Sequence, residues 1–209
     1  MELLITLGRT LGFSLAAGVN LYATVAILGL AARFGWVDLP SQYEAFNNEW
    51  IIGASLLLYA VEFVADKIPW LDSLWDGVHT LVRPIGGALI AVATLGDASP
   101  SVEAAAALVG GTLAAGSHFT KAGTRVAANA SPEPFSNWAL SLVEDVFVVG
   151  LGLIALQYPL IALAVVAIAI VVMALSVRWV WRRLKGRGGP QSRPVEFAGS
   201  SEPASSKPI

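Results

Sequence analysis

Apolar runs long enough to cross a membrane dominate this chain and limit its fold more than any other feature. Six are evident, roughly Leu3 to Ala32, Trp50 to Ala65, Val78 to Leu95, Val102 to Thr120, Trp138 to Leu156 and Leu160 to Trp181. A spanning helix needs about 20 predominantly apolar residues, because its backbone must satisfy itself where there is no water. Charged residues make up 13% of the chain, about half the share of a soluble domain. The reading is an all-α polytopic membrane protein with six transmembrane helices over residues 1–185. The first run exceeds one span, which predicts a tilted helix or one that begins along the interface. The third is short unless residues before Pro84 belong to it. Pro84 with Gly86 and Gly87 predicts a broken or kinked helix there.

Charge in the connections orients these spans. The segment after the first carries Asp38, Glu44 and Glu49 against Arg33 alone, and the third connection carries Asp97 and Glu103 with no base. Lys67, His79 and Arg83 follow the second span, Lys121 and Arg125 follow the fourth, and Arg178, Arg182, Arg183, Lys185 and Arg187 close the sixth. Bases on alternate connections follow the positive-inside rule and predict an inner-membrane protein with both termini cytoplasmic. The N-terminus, Met1-Glu2-Leu3-Leu4, lacks a basic leader region, so the first helix is expected to be retained. Residues 186–209 are rich in Gly, Pro and Ser and read as a disordered cytoplasmic tail. The basic start of that tail suits anionic headgroups.

A short echo lies inside the apolar runs. Leu15-Ala16-Ala17-Gly18-Val19-Asn20 recurs as Leu113-Ala114-Ala115-Gly116-Ser117-His118. Three runs from one copy to the other predict a three-plus-three inverted repeat, residues 1–98 against 99–185, with Asn20 and His118 near its centre. Chance matching of Ala, Gly and Leu is the alternative.

Polar residues at bilayer depth are expensive and mark cavities or partners. Glu62 and Asp66 share a helix face, and Glu144 and Asp145 enter from the same side. They read as a proton or cation site, or as ion-pair partners of Lys67, Lys121 and Arg125. Asp72, Asp76, His79 and Arg83, spaced four, three and four, form one stripe of an amphipathic helix. The stripe is either a wet interfacial face flanked by Trp70 and Trp75 or the lining of a cavity. Two carboxylates and one imidazole do not specify a metal. His118, Lys121 and Arg125 form a third stripe, suited to a phosphate or carboxylate or to snorkelling toward headgroups. Asn20 and Tyr22 lie mid-span. Gly8, Gly12, Gly18, Gly110, Gly111 and Gly116 allow helices to approach closely. Ser131-Pro132-Glu133-Pro134-Phe135-Ser136-Asn137-Trp138 predicts a stiff turn capping the next span.

No nucleophile elbow, His-Glu-x-x-His or Walker loop occurs, and the chain has no cysteine, so thiol chemistry and cysteine metal sites are excluded. No cofactor and no nucleic-acid partner is expected.

Val61-Glu62-Phe63-Val64-Ala65-Asp66-Lys67-Ile68-Pro69, Asp72-Ser73-Leu74-Trp75-Asp76-Gly77-Val78-His79-Thr80, Arg83-Pro84, Lys121-Ala122-Gly123-Thr124-Arg125 and the Ser131 to Trp138 segment together resemble a bacterial membrane family, the domain-of-unknown-function family numbered 4126. The resemblance runs from about Gly18 to the end of the sixth span. It implies an integral membrane protein and carries no activity or site residues. The residues themselves point to a small transporter or channel rather than an enzyme. Its partners would be the bilayer and an anionic small molecule or lipid headgroup. His118, Lys121, Arg125, Arg83 and Asn20 would bind substrate, and Glu62, Glu144, Asp66, Asp76 and His79 would couple protons or cations. A lipid-modifying enzyme built on Glu62, Asp72, Asp76 and His79 and a non-catalytic scaffold are the alternatives.

Overall fold

The computed structural model describes residues 1–129 and 134–186. The Pro-rich segment at Ser131 to Glu133 and the tail beyond Gly186 lie outside them. Two units are distinguished, Met1–Leu175 and Ser176–Ile209. Among the described residues the secondary structure is helical, with no strand. α1 covers Glu2–Val19, α2 Leu21–Phe34, α3 Glu49–Ala65, α4 Pro69–Leu95, α5 Pro100–Asn129, α6 Pro134–Gln157 and α7 Pro159–Gly186, and a 3-10 turn covers Ser41–Phe46. The exterior is apolar: Trp50, Leu57, Trp70, Leu81, Leu108, Val126, Phe135, Val146 and Ile168 are all exposed. Such a surface belongs in lipid, and this is a membrane protein.

Among the described residues four helices are long and apolar enough to cross a membrane, namely α1, α4, α6 from Phe135 and α7 to Arg182, while α2 is shorter. The single long first span expected from Leu3 to Ala32 does not form, because the chain breaks at Asn20. Asn20 is extended (φ −148°, ψ 102°). Its N–H closes α1 on Ala16 O at 2.9 Å. Its Oδ1 accepts the Ala23 N–H at 2.9 Å to open α2. One capping residue thus satisfies both helix ends, as a buried break requires. The break expected at Pro84 is absent, since α4 runs through Pro84 as one helix.

Contacts along the helices fix their directions. Thr94 bonds Thr10 and Ser14 bonds Gly87 O, so α4 runs against α1. Gly87 packs on Gly110 and Ala114, and Gly111 on Pro84 and Ala88, so α5 runs against α4. Ser117 Oγ donates to Leu15 O and Lys121 Nζ to Val19 O. Helices α1 and α5 therefore point the same way. The two echo copies touch, but helices related by inversion would run oppositely, so the expected inverted relation between these two segments is corrected. Their likeness reflects close packing: a Cβ on Gly18 would overlap Ser117 Oγ and the Ala114 carbonyl.

α2 turns back. Tyr22 lies against His79, while Gly29, further along, lies against Phe46 O and Ile52. From Ile52, α3 descends to Glu62, beside Arg83 and Lys121. α1 and α2 thus form a hairpin that enters and leaves from one end of the bundle. Gly8 packs on Pro159, where α7 begins. Eleven residues separate Gly8 from Val19, about 17 Å at 1.5 Å per residue. Below the tip, α5 continues eight residues past Lys121 to Asn129, about 12 Å more. The tip therefore lies partway along the bundle, about 17 Å from the Gly8 end and about 12 Å from the end of α5.

In the second unit, the last turns of α7 expose Arg178, Trp179, Trp181 and Arg182. The Lys185 ammonium lies 3.9 Å from the centre of the Trp181 ring.

Candidate functional site: a charged layer beneath the hairpin tip

The polar stripes predicted on separate helices meet at one level, just below Asn20. Asp72, Asp76, His79 and Arg83 are all buried on α4, while Leu74, Val78 and Leu81 face outward. The wet interfacial face is therefore not seen, and the stripe turns into the bundle. α3 brings Glu62 and Asp66, α5 brings His118, Lys121 and Arg125, and α6 brings Glu144.

Arg83 is fully buried. It donates to Glu62 Oε1 at 2.7 Å, to Asp76 Oδ1 at 3.2 Å and to His118 Nδ1 at 2.8 Å. Because His118 Nδ1 accepts from the guanidinium, the ring's proton is assigned to Nε2. Nε2 faces Thr80 Oγ1 at 3.2 Å, and the Thr80 hydroxyl donates onward to Asp76 O at 3.0 Å. Lys121 Nζ donates to Asp66 Oδ2 at 3.0 Å, Val19 O at 3.3 Å and Glu62 Oε1 at 3.4 Å, with Glu144 Oε2 at 3.5 Å. The cation at the carboxyl end of α1 also complements that helix's dipole. Arg125 forks onto Glu144 through Nε and Nη2, at 3.1 and 2.5 Å, and reaches Asp66 Oδ2 and Asp66 O at 3.0 and 2.7 Å. Asp72 Oδ1 is 3.9 Å from Arg125 Nη1.

Among the described residues, three bases and five carboxylates make up these pairs, a formal surplus of two negative charges. The buried Asp145 adds a carboxylate, and Lys67, whose Nζ donates to Phe63 O and Ser141 Oγ, adds a base, so the surplus stands. Glu62 Oε2, Asp66 Oδ1 and Asp145 Oδ2 are buried and accept no hydrogen bond from the described chain. No three His, Asp or Glu side chains among the described residues lie close enough together to hold a metal ion.

Of the residues expected to bind substrate, His118, Lys121, Arg125 and Arg83 join this network. Asn20 does not, because its side chain caps α2. Of those expected to couple protons or cations, Glu62, Glu144, Asp66 and Asp76 join it. His79 sits beside it: Nδ1 donates to Trp75 O at 2.7 Å, and Nε2 accepts from the Tyr22 hydroxyl at 3.0 Å. The sequence reading overlooked Thr80, which links His118 to α4. It also overlooked the buried hydroxyls of Thr10 and Ser14 on α1 and Thr94 on α4, which lie further along the α1–α4 contact. Those hydroxyls bond mainly within helices, and spacing alone carries no signal for them.

A groove of about 250 Å³ reaches the layer from the side, between α1, α5, α6 and α7, with Lys121 and Glu144 at its inner end.

The family model described as domain of unknown function (DUF4126) matches residues 7–179. The chain belongs to this family. The DUF4126 match takes in the tip of the hairpin and every member of the charged layer. No curated protein and no solved structure matches the chain.

Proposed function

We propose that this protein is a small transporter of the bacterial inner membrane, driven by protons that exchange with a cation over the charged layer. The observation that carries the proposal is the surplus of carboxylates over bases, buried at bilayer depth beneath a broken helix. Buried charge in excess of its counter-charges costs several kcal/mol, so the layer lowers its energy by taking up protons or a cation. Helix breaks that end at such depth are a recurrent setting for ion sites in transporters. Protonation of Asp66 or Glu144 weakens their pairs with Lys121 and Arg125. Those pairs tie α3, α5 and α6 together, so the occupancy of the layer would govern their packing.

The donors of Lys121 and Arg125 are already taken by carboxylates and carbonyls. This favours a cationic substrate over the anionic one that the basic stripe suggested. In this reading α4, α6 and α7 cross the membrane, α3 and α5 cross among them although less apolar or shorter, and α1, although long enough to span, is re-entrant with α2. The Lys67 end faces the cytoplasm by the positive-inside rule, and Met1 faces the opposite side. The amino terminus is then not cytoplasmic while α7 ends on the cytoplasmic side, and the six-span count gives way to five spans and a hairpin.

Proteoliposomes carrying a pH gradient and an internal pH dye test the proposal. The wild type should dissipate the gradient when a panel of inorganic and organic cations is supplied on the opposite face, and correctly inserted Glu62→Gln should not. Wild-type vesicles as tight as empty ones would favour the scaffold reading, in which the saturated pairs only fix helix packing.

A further inference from the structure

We propose that the lateral groove binds a lipophilic ammonium ion, its tail along the apolar walls and its headgroup against Glu144 and Phe147. This rests on the proton–cation exchange reading above and names the substrate class.

The walls are apolar, formed by Leu15, Leu140, Val143, Ala169 and Met173. Val143 at the rim is 64% exposed on the lipid-facing side of α6, next to exposed Leu142 and Val146. A ligand reaching this groove comes from the bilayer and carries an apolar body.

The inner end determines the sign of its headgroup. The Lys121 side chain is 2% exposed, and its three protons are committed to Val19 O, Glu62 and Asp66. An anion finds no free donor there. Glu144 is 11% exposed, more than any other side chain in the layer's ion pairs. A carboxylate is therefore the charged group that a ligand meets first. Arg125 neutralises Glu144 from behind, but among the described residues the layer keeps two carboxylates more than it has bases. Phe147 follows Glu144 by three residues, on the same helix face, and also lines the groove. An aromatic face beside a carboxylate within apolar walls suits an ammonium group, which gains both cation–π and charge attraction. Entry of one positive charge removes part of the surplus that protons otherwise offset, so ammonium and protons compete.

Binding of radiolabelled dodecyltrimethylammonium and of dodecanoate to the protein in nanodiscs tests this. The ammonium should bind saturably, more weakly as pH falls, and dodecanoate should not. Glu144→Gln should weaken ammonium binding on the order of tenfold or more, and Phe147→Leu about threefold. Val143→Trp, which fills the rim and leaves every charge in place, should abolish binding without altering thermal stability. It decides the matter if Glu144→Gln fails to fold. Binding of dodecanoate as tight as that of the ammonium, or ammonium binding unchanged by Val143→Trp, would overturn the proposal. Glu62-dependent proton flux without ammonium binding would remove the groove ligand and leave the transport reading standing. Ammonium binding at Glu144 without proton flux would do the reverse.

Discussion

Removing Arg83 should expose how the charged layer is held together. Its guanidinium is wholly inside the bundle and serves Glu62 at 2.7 Å, Asp76 at 3.2 Å and His118 at 2.8 Å. Arg83→Met fills a similar volume but leaves five carboxylates facing two bases. Glu62 retains only Lys121, at 3.4 Å. Breaking a buried pair by deleting one partner typically costs about 3–5 kcal/mol, and three lost partners put this site at the upper end. Removing both charges, in Arg83→Met with Glu62→Gln, should recover at least about 2 kcal/mol of that loss, because coupled neighbours are not additive. The sign with pH follows from the same count. The variant's excess carboxylates become neutral as pH falls, so its deficit relative to wild type should shrink in acid. Equilibrium unfolding in bicelles, as a double-mutant cycle at two pH values, measures all of this. A single-variant cost below about 1 kcal/mol, or a double variant as unstable as the sum of the two, would refute the reasoning.

Gly18→Val should separate α1 from α5, because even a Cβ there meets a backbone carbonyl that cannot move aside. A loss of about 1–3 kcal/mol or more is expected from overpacking, read as a lowered melting temperature. Asn20→Ala removes the cap of α2 and should cost about 0.5–2 kcal/mol, with faster hydrogen exchange at Ala23 as a local signature. Lys121→Met should be more damaging than Lys67→Met. Lys121 joins α5 to α1, α3 and α6, whereas Lys67 reaches Phe63 and Ser141; comparative melting in detergent checks the order.

The membrane class, the boundaries of α3 and the grouping of acidic and basic stripes were legible in the sequence. Bilayer thickness and charge cost leave few alternatives at Glu62, Lys121 or Arg125. The break at Asn20 was less visible because Val19 and Leu21 on either side keep the apolar run continuous. The cap signal, an Asn followed three residues on by the N–H it receives, is short and common. At Pro84 the helix does not break: a single proline lies within α4, a helix packed closely along α5 by Gly87, Gly110 and Gly111. The echo at Gly18 and Gly116 matched in letters, yet Gly18 faces α5 while Gly116 faces Met173 of α7. Sequence spacing records a small residue on a helix, not which neighbour it admits.

Everything proposed for the charged layer depends on a hairpin that turns back inside the membrane. The chain has no cysteine, so single introduced cysteines report without background. Membrane-impermeant thiol labelling of Leu3→Cys, Asp38→Cys, Ser99→Cys, Tyr158→Cys and Ser73→Cys in sealed vesicles is the most direct measurement. The account predicts that the first four label from one face and Ser73→Cys from the other. Labelling of Leu3→Cys from the same face as Ser73→Cys would make α1 a complete span, and the re-entrant tip above the charged layer would be wrong.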